Sequence, residues 1–464
     1  MMKKITNPRV QKAQKKSLML PNLTAAMMLV SSTAWSAPGL IDIYQMAVLH
    51  DAKLAQARAT YQANQEALNI ARSPLLPQIA ANANYVKNDS NVDTADVTTR
   101  ELGVSMTQSL YQHDNWARYS QAKYQMQKSE YQIKFAEQDL IVRVSDAYFK
   151  VLLAQEDVKL AQAKEEADKT QWDRAKASAE VGLASKTDVL QAKSSYDLSK
   201  SQRITSENNL DVAYEELMKL TGKPVSELKV IQLNVDLPAQ NLNMSKWESM
   251  AEEQNLDVLQ VEESANVASK EVEVQKSGHW FNVDLKAQYT DQSYSDYNAF
   301  YPGQYADRNN LMVGVYATLP LYSGGGVSAK VSEARANYKA ATLGLRDAKE
   351  SARLNARIQV RNVERGMELV MANRAAVLSN DAFLEAAEEG YKVGLKNLLE
   401  VLTARTNMFQ ARRNLAESLH NVVLSRLKLE ATVGRLTADK LVQFDKILSN
   451  PTHEKMPKLE KSPS

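Results

Sequence analysis

Apolar and small residues return along one long stretch of the chain at alternating spacings of four and three: Leu140, Val144, Ala147, Val151, Ala154, Val158 and Ala161. That is a heptad seam, and the stretch from Trp116 to Glu180 that contains it has no glycine or proline. At ~1.5 Å per residue it predicts a helix about 95 Å long, far more than a globular domain needs. A second seam runs through Val331, Ala334, Tyr338, Ala341, Leu345, Ala348 and Ala352, and a helix returning from the first carries Leu210, Ala213, Leu217 and Leu220. Elsewhere the period changes to two. Ile79, Ala81, Ala83 and Tyr85 alternate with polar residues, as do Leu102, Val104 and Met106. So do Val283, Leu285, Ala287 and Tyr289, and then Leu311, Val313, Val315, Ala317 and Leu319. These predict four strands in two hairpins, joined by polar loops of which the second is rich in tyrosine. Four strands cannot close a barrel alone, and two hairpins on a soluble domain account for the alternation equally well.

The pattern is written twice. EVGLASKTDVLQA at 180–192 and KVGLKNLLEVLTA at 392–404 are offset by 212 positions. Each half runs helix, strand, strand, long helix, Val-Gly-Leu bend, helix. Gly182 and Gly394 are the natural left-handed residues ending the outgoing helices. Ser185 or Thr187 caps the return helix, with Asp188 in its first turn favoured by the dipole. The bend is therefore a hairpin tip, and it occurs twice because there are two hairpins.

Composition fits long helices: only 15 glycines and 12 prolines in 464 residues leave few turns. Residues 1–36 read as a secretory signal, with Lys3, Lys4, Arg9, Lys12, Lys15 and Lys16 before an apolar run and SSTAWSA at the cleavage region. Removing those six basic residues takes the formal charge from +2 to −4, which disfavours nucleic acid as a partner. The absence of cysteine excludes disulfides and an N-terminal lipid anchor, so packing or oligomerisation must hold the mature chain. Past the signal no apolar run is long enough for a membrane helix, so any span would be a β-barrel.

The segments ARSPLLPQ at 71–78, VGLASKTDVLQAKSSYD at 181–197, LPLYSGGG at 319–326 and EEGYKVGLKNLLEVL at 388–402 resemble the TolC family of outer-membrane efflux and secretion ducts. The resemblance covers about Leu40 to Val442. It implies a mainly α protein with a β-barrel part: a tandem-repeat protomer of a trimeric, twelve-stranded outer-membrane barrel continued by a coiled-coil periplasmic tunnel. Residues 37–245 and 246–447 would be the two repeats and 448–464 a polar flexible tail, with segments near 221–245 and the C-terminus forming a belt. The implied partners are two further copies, a periplasmic adaptor, an inner-membrane pump or ABC transporter, and the outer membrane. No cofactor, metal or nucleic acid is implied.

By the same resemblance the entrance is closed by polar bonds between tips. Tyr391 and Lys396 occupy the positions that hold the second hairpin shut, with Thr187 and Asp188 as first-hairpin partners. Lysine in place of the arginine of the family's best-known member gives up bidentate pairing. Glu400 stands where an entrance aspartate is typical, and Thr403 where a second would sit, which implies one acidic ring fewer. Without the family, Lys396 and Glu400 read as an exposed i, i+4 pair. Val181, Gly182 and Leu183, with Val393, Gly394 and Leu395, would be the adaptor-docking tips.

Two other functions fit the sequence less well. An enzyme is disfavoured because His50, His113, His279, His420 and His453 are scattered, no HExxH or GxSxG occurs, and SGGGVS at 323–328 lacks the lysine of a phosphate loop. A periplasmic coiled-coil adaptor would carry one helical hairpin and a membrane or lipid anchor, whereas this chain has two hairpins and no anchor.

Overall fold

The computed structural model describes residues 37–89, 91, 96–225, 227–232, 235, 242–295, 305–446 and 448–449; residues 1–36, which the sequence reads as a signal, most of both strand-joining loops and most of 448–464 lie outside these. From Pro38 onward the chain forms one unit. Its first half runs α1 (Leu40–His50), α2 (Ala52–Arg72), β1 (Gln78–Asn88), β2 (Val97–Tyr111), α3 (His113–Glu180) and α4 (Lys186–Thr221). The second repeats the order with α5 (Met244–Gln254), α6 (Leu256–Lys276), β3 (Asn282–Ser295), β4 (Arg308–Thr318), α7 (Gly326–Lys392) and α8 (Leu398–Thr432), followed by α9 (Ala438–Asp445).

Where the sequence suggested one helix before each strand pair, there are two. The break in the first half falls at Asp51, whose carboxylate caps α2 by accepting from the Leu54 N–H at 2.8 Å. Asn255 caps α6 in the same way. Both cap residues have extended backbone (ψ 117° and 127°), so each interrupts the helical ladder and then restarts it.

The strands form one antiparallel sheet in the order β1-β2-β3-β4. The register aligns apolar residues in rows: Ile79, Met106, Ala287 and Val313 form one, and Ala81, Val104, Tyr289 and Leu311 the next. Leu285 and Val315 extend this face on one side, Ala83 and Leu102 on the other. The opposite face carries rows such as Asn82, Gly103, Thr290, Asn310 and Asn84, Glu101, Gln292, Arg308. The apolar face is open: Ile79, Val104, Leu311, Val313 and Val315 are all about half exposed or more. An uncovered apolar face with polar residues behind it is the pattern of a sheet with lipid on one side and water on the other. β4 ends one residue before Leu319, the last residue of the predicted alternation, because Pro320 follows and cannot donate to a ladder.

Helices continue the sheet. Near it they pack in the order α2, α3, α6, α7, matching the strands; toward the other end the order is α4, α3, α8, α7. At 68 and 67 residues, α3 and α7 are each about 100 Å long. Every residue of the first seam, Leu140 through Ala161, is buried. The second seam is buried at Val331, Ala334 and Ala352, but Tyr338 is exposed and Ala341, Leu345 and Ala348 are half-buried. There α7 lies at the edge of the layer beside α6, and α5 packs on it as well, so that Leu345 and Ala348 sit against the cluster of Ala251, Val258 and Ala352. Gly366 lets α7 approach α8 closely, since a Cβ there would stand 2.7 Å from a Val422 methyl.

The main core lies midway along the long helices, where α1 and α9 pack around them. Tyr148 is fully buried there, and its hydroxyl donates to the Lys229 carbonyl at 2.7 Å. A backbone pair between Val230 and Ser449 joins the inter-repeat segment to the C-terminal end. Arg143 on α3 pairs with Asp51 at 2.7 Å and holds that carboxyl below its usual range. Among the described residues no helix is long and apolar enough to cross a membrane.

Candidate functional site

At the end remote from the sheet, the two hairpin tips have the same backbone geometry. After α3, the Leu183 N–H donates to Ser178 O at 2.8 Å and the Gly182 N–H to Ala179 O at 3.1 Å. After α7, Leu395 and Gly394 donate to Gly390 O and Tyr391 O at the same two distances. These are Schellman closures. They require left-handed backbone at the turn residue, supplied by Gly182 at φ 77° and Gly394 at φ 78°.

Each return helix then opens with a capping box. Ser185 Oγ accepts from the Asp188 N–H at 3.1 Å, and Asp188 accepts from the Ser185 N–H at 3.0 Å. In the second tip Asn397 takes the place of serine and Glu400 that of aspartate, at 2.9 and 3.1 Å. Of the two caps considered in the sequence, Ser185 is the one used, and Thr187 sits exposed on the first turn of α4. The reciprocal bonds satisfy two otherwise orphaned N–H groups per tip. They also leave the apolar tip residues bare, with Val181 69%, Leu183 83%, Val393 69% and Leu395 81% exposed.

Lys396 donates to Glu400 Oε1 at 3.0 Å. With the Asn397 N–H, it holds the Glu400 carboxyl below its usual range, so that side chain is ionised near neutral pH. Tyr391 lies on the last turn of α7, and the Thr403 hydroxyl donates to Leu399 O at 2.8 Å. Within one protomer and among the described residues, no bond joins Thr187 or Asp188 to Tyr391 or Lys396. The hairpins meet near their tips through Ala175, Ala192, Leu398 and Leu402. Tip chemistry is thus a pair of exposed apolar knobs beside a partly screened carboxylate.

The two halves match the family model for outer membrane efflux proteins over residues 43–223 and 247–435. The chain belongs to the outer membrane efflux protein family. It is 31% identical to the outer membrane protein TolC of Vibrio cholerae over 91% of this chain and 96% of that protein. It is 28% identical to the proteases secretion protein PrtF of Dickeya chrysanthemi, over 91% and 93%. Among solved structures, the CmeC outer membrane channel of Campylobacter jejuni has the same fold, with TM-score 0.75 and 18% identity over 96% and 98% of the two chains. Membership makes the chain an exit-duct protein of the outer membrane, with its helices in the periplasm, and excludes the adaptor reading.

Sequence reasoning missed the capping role of Asn397, although an Asn three residues before Glu is the signal for it. It also missed the arginines on α8, which nothing local distinguishes from solvated charge: Arg405 bonds Glu388 at 2.8 Å and Arg412 bonds Asp381 at 3.0 Å.

Proposed function

We propose that three copies of the chain assemble into one passive conduit, with the four-stranded sheets closing a twelve-stranded barrel and the helices a tunnel that ends at the tips. The observation that carries this reading is the open sheet. β1 and β4 are its edge strands, and an edge beside an uncovered apolar face is stable only when another strand pairs with it. The outermost helices support the same closure. α4 exposes Leu190, Leu198, Ile204 and Val212 opposite the face it packs on α3, and α7 exposes Leu354, Ile358, Leu369 and Phe383 opposite Val360, Val363 and Val370. Each stripe suits the other across a copy-to-copy seam.

In this reading residues 1–36 are removed on export, 37–245 and 246–447 are the repeats, and 448–464 is a flexible tail. Tyr391 and Lys396 meet Thr187 and Asp188 across seams between hairpins and keep the entrance shut. Glu400 contributes one carboxylate per copy to a ring on the axis. The bare Val-Gly-Leu tips dock a periplasmic adaptor, which links the duct to an inner-membrane pump or ABC transporter. No group on the chain performs catalysis in this scheme.

The test is loss and restoration of export. Deleting the gene should sensitise cells to dyes, detergents or antibiotics, or abolish secretion of a protein substrate, and the intact chain should restore the lost trait. An unchanged deletion strain with no secretion defect overturns the proposal.

A further inference from the structure

Above the tips, α8 carries a set of arginines that ties the two hairpins together. Arg405 and Arg412 lie one heptad apart, and their partners on α7, Glu388 and Asp381, are spaced by one heptad in the opposite sense, as antiparallel helices require. On its other side α8 reaches α3. Arg405 donates to the Ala167 carbonyl at 3.2 Å and stands 3.9 Å from Asp168, while Arg413 pairs with Asp157 at 2.8 Å. Asp168 is buried and also bound by Lys164 at 2.7 Å. The Arg405 side chain is only 11% exposed, lying between the apolar layer of Leu160, Met408 and Phe409 and that of Ala175, Ala192, Leu398 and Leu402.

The order of these layers matters. Arg405 is the ionic tie between hairpins nearest the tips among the described residues, roughly two turns above the start of α8. Below it the hairpins touch through that small apolar layer, which can slide or part without leaving a charge unpaired. At its height, separating α8 from α3 strips a nearly buried guanidinium from a carbonyl and from the neighbourhood of a buried carboxylate, leaving Arg405 with Glu388 alone and Asp168 with Lys164 alone.

We propose that Arg405 is a positioning residue for the duct entrance: it sets the height about which the lower part of the α7–α8 hairpin swings away from α3–α4. This rests on the reading that the entrance lies at the tips, and concerns regulation of that entrance. Arg405 touches no cargo. It limits how far the tip segments separate by holding the helices above them in fixed register.

The test is single-channel recording of the purified full-length chain in planar bilayers. Arg405→Met, which keeps the aliphatic stem, should raise the ratio of open to closed time about tenfold, the change expected when a charged hydrogen bond in a mostly buried site is lost. Glu388→Gln should raise it less, because Arg405 keeps its bonds to α3. The double variant should match Arg405→Met, since both act through one tie, and Arg405→Lys should restore part of the closed state. Heat dissociation of the oligomer should stay at the parent value, which a general loosening of the fold would lower. Parent gating in Arg405→Met, or additive effects in the double variant, overturns the proposal. Tyr391→Phe with Lys396→Ser tests the tip bonds separately. If that pair opens the channel and Arg405→Met does not, the tip gate stands and the swing point is wrong. If only Arg405→Met opens it, the swing point stands and the tip bonds do not hold the gate. No change in either removes both.

Discussion

The apolar face of the sheet makes a quantitative prediction about which side meets lipid. Val104 is the middle residue of β2 and sits in a row with Ala81, Tyr289 and Leu311. Apolar residues occupy four rows of this face, from Leu285 and Val315 on β3 and β4 to Ala83 and Leu102 on β1 and β2, about 20 Å along the strands and close to the height of a barrel's apolar band; Gln108 on one outer row and Asp291 and Asn309 on the other mark its ends. A lysine at Val104 therefore places its ammonium near the middle of the hydrocarbon, at a cost of about 2–4 kcal/mol per copy and about 6–12 kcal/mol for three. The next residue, Ser105, faces the other side beside Ala80 and Gln288. Lysine there points into the water-filled interior and should cost less than about 1 kcal/mol per copy. The assay is denaturant unfolding of the oligomer in lipid vesicles, with the yield of heat-resistant oligomer in cell membranes as a second readout. Val104→Lys should lower both sharply and Ser105→Lys should leave both near the parent. Equal loss in the two variants, or a greater loss for Ser105→Lys, refutes the assignment of faces.

Gly182→Val and Gly394→Val should each strain their bend by about 1–2 kcal/mol, because the backbone is left-handed although the space around each glycine is open. Export should fall while oligomer yield holds, and Asn at either position should be better tolerated. Glu400→Gln should reduce cation selectivity and block by multivalent cations in planar bilayers, because it removes one carboxylate per copy from the proposed ring; unchanged selectivity would count against the ring. His420 is buried beside Phe149, and desolvation pushes its pKa down to about 4. The unfolded chain then binds the extra proton first. Stability from this group is complete above about pH 6.5 and falls as pH drops toward 4, by about 3 kcal/mol per copy. His420→Phe should flatten that part of the pH profile in thermal unfolding.

Much of the fold was legible because it follows from short-range periodicity. The buried seam from Leu140 to Ala161 is spaced every three or four residues, and the strands alternate by two, so each element announces its own buried face. Gly182 and Gly394 were legible because few other residues take a left-handed bend. The breaks at Asp51 and Asn255 were not, since a single capping residue inside a helical pattern looks like surface polarity. Tyr338 misled because heptad spacing marks a face without revealing whether a partner covers it. The ties of Arg405 to Asp168 and of Arg413 to Asp157 were invisible for a different reason. Their partners lie more than two hundred positions away, and on a charged helix any arginine looks solvated until the facing helix is known.

The central claim is that the chain becomes an outer-membrane duct by assembling in threes. The most direct measurement is to express the full chain, separate inner membrane, outer membrane and periplasm, and determine the mass of the native complex. A three-chain complex in the outer membrane, dissociated by heating, is the predicted result. Recovery of the mature chain as a soluble periplasmic monomer would contradict the account.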